Sequence, residues 1–177
     1  MLTTHAYPEA YVRFLAEFHG TRDYFECHEL LEEYWKEHPE DPAAGLWHGL
    51  IQIAVGQYHL RRGNFEGARK MLRSAWQRLT AADLSLAGLD ASELLRALDE
   101  AACRLEAGDR LAYASWTLPI RDPELLQAAQ EQCGAIGAGW CELAPLDNSV
   151  VNRHLVRDRS EVILARKESL EKRRNSK

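Results

Sequence analysis

The chain has 177 residues, 46% of them apolar and 28% charged, with a formal net charge of −5. That is chain enough for one domain with an appendage and a sizeable core, without disulfides or a structural metal to hold it. No run approaches the ~18 apolar residues of a membrane span, and Met1-Leu2-Thr3-Thr4-His5 opens no basic-then-apolar leader, so the cytoplasm is the expected compartment.

Helix boundaries can be followed in chain order. Pro8 suits a first helical position, and Gly20 suits the cap that ends that helix. Asp23 with Glu26 resembles a capping box, opening a second helix that stops before His38-Pro39. A third helix runs from about Ala44 to Arg62 and closes at Gly63, and Asn64 caps a fourth, from Phe65 to about Thr80. Residues 81–89 read as a loop. Asp90 with Glu93 opens a fifth helix that Gly108 closes, and 109–122 is again loop. Pro123 begins a sixth helix ending near Gly134, after which Gly137, Gly139 and Pro145 break the pattern. A last amphipathic helix is expected over about Asp158–Arg174. Apart from an ambiguous stretch at Leu146–Leu155, no segment alternates with a period of two. The expected fold is all-α: an antiparallel bundle of about five helices over residues 1–108, with a helical extension over 109–177.

Residues 1–152 carry 13 Lys and Arg against 23 Asp and Glu, whereas residues 153–177 carry 9 against 4. An acidic body argues against nucleic acid as a partner. The basic tail suits an anionic partner, the protein's own acidic body, or plain solvation. Cys27, Cys103, Cys133 and Cys141 form no CxxC pair, and packing as small free hydrophobes is the expectation for all four.

The second helix, YFECHELLEEYWKE, carries the first unusual pattern. Counting from His28, Trp35 falls about 20°, Tyr24 about 40° and Leu31 about 60° to one side, and Glu32 about 40° to the other. His28 and Glu32 therefore point together toward the interior or its edge, with Trp35 near the centre of the apolar stripe. On the greasy third helix, His48, Gln52 and His59 share one stripe. If the two helices are antiparallel neighbours, these polar groups face one another. Buried polar groups are costly unless they satisfy each other or a ligand.

The segments FHGTRDYFECHELLEEYW, GLIQIAVGQYH and RRGNFEGARKML resemble a bacterial and archaeal family known as Domain of Unknown Function 309. Its HxxxExx(W/Y) signature is matched by His28, Glu32 and Trp35. The resemblance, over about residues 10–105, implies an all-helical fold and metal binding by the motif, with no substrate or activity attached.

Three readings of the His/Glu cluster stay open. His28, Glu32 and His59, supported by Trp35, His48 and Gln52, could hold a divalent metal (zinc, manganese or iron) or a small ligand. With the metal, His28 could act as a general base oriented by Glu32 in metal-dependent catalysis. Or the pair could only fix helix packing. HELLE is not the HExxH of zinc proteases, because Glu32 stands where the second histidine would be. A different class of function is a protein-interaction scaffold. Gly56, Ala68, Leu72 and Ala75 have the spacing of a single tetratricopeptide unit, and Glu29, Glu33 and Glu37 form an acidic ridge suited to a basic protein partner or to plain solvation, with a protein partner or a homo-oligomer the expected classes of partner.

Overall fold

A computed structural model describes residues 7–142, 147–156 and 168. Its helices are α1 (Glu9–His19), α2 (Tyr24–Glu37), α3 (Ala44–Arg61), α4 (Phe65–Arg78), α5 (Ala81–Leu86), α6 (Ala91–Glu106), α7 (Pro123–Ala135), α8 (Asn148–Val151) and α9 (Arg153–Val156). Among the described residues there is no strand, only an isolated bridge between Leu89 and Ile120. The fold is an all-α helical bundle.

Side-chain caps account for most of the helix starts. Asp23 accepts from the Glu26 N–H, Asn64 from Gly67 and Asp90 from Glu93, each satisfying a donor that the first helical turn leaves open. Gly63 and Gly108 take the left-handed conformation just past the ends of α3 and α6. Pro8 is the residue before α1 rather than its first turn. The segment 81–89, expected as loop, begins with α5. Thr80 caps it by accepting from the Asp83 N–H, but six residues are too few to display a helical period. The ambiguous stretch near 146–155 contains the short helices α8 and α9, and the helix expected over Asp158–Arg174 lies outside the described residues.

Helix α3 is central. It buries residues around its whole circumference, Trp47, Leu50, Ile53, Ala54 and Gln57 among them, and lies against α2 on one side and α4 on the other. Both neighbours run antiparallel to it. Phe25 meets Tyr58 while Trp35 meets His48, and Gly49 lies against Leu79 while Gly56 lies against Leu72. A Cβ on Gly56 would stand 2.6 Å from Leu72 Cδ2, and Ala68, Leu72 and Ala75 are wholly buried. Close packing within one hairpin accounts for the Gly56-Ala68-Leu72-Ala75 spacing. Across α1 and α2 a run of rings, Tyr11, Phe14, Phe18 and Tyr24, has successive centroids 6.5, 5.7 and 5.1 Å apart. Their burial is a main driving force for this half of the core.

Beyond residue 108 the chain adds to the same core. Leu118, Leu125 and Ala129 belong to its buried cluster. Helix α7 runs parallel to α1, with Tyr7 donating to Asp122 Oδ2 (2.5 Å) at one end and Gly20 against Cys133 at the other. Gly20 has a negative φ, so its backbone does not demand glycine. The space does: a Cβ there would lie 2.5 Å from Cys133 Sγ and 2.7 Å from the Ala16 carbonyl. Gly20→Ala is expected to cost about 1–3 kcal/mol as an overpacking change. Urea unfolding checks this, and an unchanged midpoint would mean that α7 is not seated on α1. Cys27 and Cys133 are buried as expected, but Cys103 is exposed and Cys141 half-exposed.

Candidate functional site

The groove between α2 and α3 gathers the residues singled out in the sequence. The Asp23 cap fixes the register of α2, which buries Tyr24, Phe25, Cys27, Leu30 and Leu31. The centre of its inner face is thus Cys27 and Leu31. Trp35, expected near that centre, is only partly buried and stands at the flank, its ring centroid 4.8 Å from His48. The reason is that α2 packs against both α1 and α3, which turns its buried face away from the Trp35 side.

His28 and Glu32 flank the same groove. His28 Nε2 lies 3.4 Å from Glu32 Oε2, and the other Glu32 oxygen lies 3.1 Å from Lys36 Nζ. The two side chains are 27% and 33% exposed, so the pair sits at the edge of the core and not within it. His28 and Val55 line two adjoining cavities. One, of about 270 Å³, is completed by Glu32, Trp35, His48, Gln52 and Met71. The other, of about 280 Å³, lies toward the α3 C-terminus beside Phe25, Tyr58, His59 and Arg62. His48 titrates below the ordinary imidazole range, mainly through burial and then through the charge of Arg78, against an opposing pull from Glu32. Gln52 Oε1 accepts from Arg78 Nε at 3.3 Å.

Two of the residues expected to ligate a metal have a workable spacing. Two ligands on one ion with bonds of about 2.1 Å stand about 3.4 Å apart in tetrahedral geometry. His59 does not complete the set. Its Nδ1 faces Asn64 Nδ2 at 3.1 Å, and no group of three or more His, Cys, Asp and Glu among the described residues could hold a metal ion. The physical cause is position along the groove: His59 lines only the second cavity and Glu32 only the first. Of the three residues expected to ligate, only His28 and Glu32 stand together.

Several residues of this region carried no signal in the sequence. Arg61 lies over the Tyr24 ring (4.6 Å to its centroid) and donates to the Arg22 carbonyl at 2.7 Å. Arg62 lies 5.3 Å from the Tyr58 centroid and donates to Asn152 Oδ1 at 3.1 Å. His154 on α9 bonds the Tyr58 hydroxyl, and Arg153 pairs with the buried Asp23. The Arg-Arg pair after GQYHL was the one available hint. Its hydrogen-bond partners, the Arg22 carbonyl and Asn152, come from 39 and 90 residues away, and no local pattern reports them.

Among the described residues, no helix is long and apolar enough to cross a membrane. No solved structure matches the chain. It is 40% identical over 174 residues to YpuF, an uncharacterised protein of Bacillus subtilis strain 168, an alignment covering 97% of this chain and 99% of that one. The match therefore takes in most of the extension beyond residue 108 as well as the bundle. The model of the family described as domain of unknown function (DUF309) matches residues 11–71, which hold His28, Glu32, Trp35, His48, Gln52 and His59. On these two matches, the chain belongs to that family.

Proposed function

We propose that the α2–α3 groove is a small-ligand site and that the His28–Glu32 pair is its polar anchor. The observation that carries this reading is that His28 lines two adjoining cavities and Glu32 one of them, the two side chains being 27% and 33% exposed. A pair whose role was to fix packing would be enclosed by the helices it joins, whereas this one meets space on both sides of His28. Concave, partly apolar pockets with a few convergent polar groups are where small molecules bind. Val55, shared by both cavities, gives a direct test. In a fragment screen followed by amide chemical shifts, hits are expected to move resonances of His28, Ile51 and Val55, and Val55→Trp, which fills the groove, abolishes the response. Hits that map elsewhere, or that persist in Val55→Trp, would sink the reading.

A second reading, that the anchor takes a divalent ion, rests on the 3.4 Å spacing of His28 Nε2 and Glu32 Oε2. The ion would be held by these two residues, with water or a bound molecule supplying the rest of its shell. Manganese at pH 7.5 is then expected to broaden amide signals around residues 28–32 in wild type and not in Glu32→Ala. Broadening that is uniform over the surface, or unchanged in Glu32→Ala, discounts it.

A further inference from the structure

The two ends of the groove differ in charge. Glu32 stands in the first cavity, but no carboxylate among the described residues lines the second. That second cavity is walled by Phe25 and Tyr58 on its apolar side and by His59, Arg62 and His154 on its polar side. Two of these, His59 and Arg62, belong to a stretch, residues 1–152, with ten more acidic than basic side chains, and His154 to the basic segment that follows. The charges interact: His59 titrates below the ordinary imidazole range, first through burial, then through Arg62 and His154. Arg62 is oriented rather than loose, because Nε is held by Asn152 and the guanidinium lies over the Tyr58 ring. Asp23, a nearby buried carboxylate, is engaged by Arg153.

We propose that this end of the groove binds a small aromatic anion, its ring beside Phe25 and Tyr58 and its carboxylate or phosphate on Arg62, His59 and His154. This rests on the groove being a ligand site and names the ligand class. A preoriented guanidinium beside imidazoles is a strong anion receptor, since charge-assisted bonds are about twice as strong as neutral ones. The Phe25 and Tyr58 rings lie 5.9 Å apart by centroids and form one apolar wall. At about 280 Å³ the cavity takes a one- or two-ring molecule. Part of the receptor comes from outside the residues that the family model matches, because His154 is supplied by α9.

The test uses four probes on the full-length protein, followed by titration and amide shifts: 2-naphthoate, 2-naphthyl phosphate, the neutral 2-naphthamide and the cation 2-naphthylmethylammonium. At least one of the two anions is expected to bind tenfold or more tightly than the amide, and the cation to bind most weakly. The anion that wins identifies the head group. Arg62→Gln should weaken that anion about tenfold or more and leave the amide unchanged, with unaltered thermal unfolding showing that the fold is intact. His154→Ala, on the half-buried α9, serves as a second variant and should weaken the same anion. The inference is overturned if the amide or the cation binds as tightly as both anions, or if neither substitution changes the ratio of anion to amide. Fragments that respond to Val55→Trp while no naphthyl probe binds would overturn the aromatic-anion assignment and leave the ligand site standing. Absence of any Val55→Trp-sensitive binding would end both.

Discussion

Phe14→Ala is expected to lower the free energy of unfolding by about 3–5 kcal/mol, the range for truncating a fully buried large aromatic. Phe14 is wholly buried between Tyr11 and Phe18, and its neighbours cannot collapse into the space, because Tyr11 is tied to the Ala87 carbonyl through its hydroxyl (2.9 Å) and packed against the tilted Trp47 ring. Trp35→Ala makes the informative comparison. Trp35 is the larger side chain but only partly buried, so its truncation removes less apolar area from contact, a loss of about 1–2 kcal/mol. Urea unfolding of both variants at pH 7.5 decides. A Trp35→Ala loss equal to or above that of Phe14→Ala would move the centre of the core from α1 to the α2 flank.

The second large effect is a loss of stability in acid that passes through His19. This histidine is wholly buried, its Nδ1–H donating to the Leu15 carbonyl (2.8 Å) and its Nε2 accepting from the Leu118 N–H (2.9 Å). That pattern requires the neutral ring, since a proton on Nε2 would face another donor. Burial holds the imidazole at about 4, with the Arg22 charge acting in the same direction against the bond to Leu15. Above pH 6.5 the ring is neutral whether the chain is folded or unfolded. Below it the unfolded chain takes up a proton that the folded chain refuses until the pH nears 4. Stability therefore falls as pH drops from 6.5 to 4, by up to about 3 kcal/mol from this group. Glu17, whose carboxyl burial raises, works the other way, so the comparison is made between variants. His19→Gln is expected to be less stable than wild type at pH 7.5 yet to lose less between pH 7.5 and 4.5. Equal losses in the two proteins would clear His19 of the role.

Local chemistry made the bundle legible. Asp23, Asn64 and Asp90 each precede the helix they cap, and a 100° period placed His28, Glu32 and Trp35 on the side of α2 that meets α3. What the period could not supply was the centre of the buried face, because that depends on how many neighbours a helix has. Nor could it say which of the three polar residues on α3 shares a cavity with Glu32. His48 and Gln52 lie in the cavity with Glu32, and His59 lies two turns further on, near Asn64. Buried polar residues such as His19 and Arg22 were invisible for a related reason. Arg22 donates to the Trp116 carbonyl and His19 accepts from Leu118, so each is satisfied by backbone from more than 90 residues downstream. No window of sequence contains both halves of such a bond.

The parallel seating of α7 on α1 bears on the order in which the molecule can assemble. Helices α1 to α4 are joined by short connections, and each can pack on the one before it as soon as it leaves the ribosome. The contacts that complete α1 are of another kind: Tyr7 with Asp122 and Gly20 with Cys133 close loops of more than 110 residues. Until residues 118–133 have emerged, the side of α1 that α7 will cover is open to water and His19 has no N–H to accept from. The first helix made is among the last to be finished.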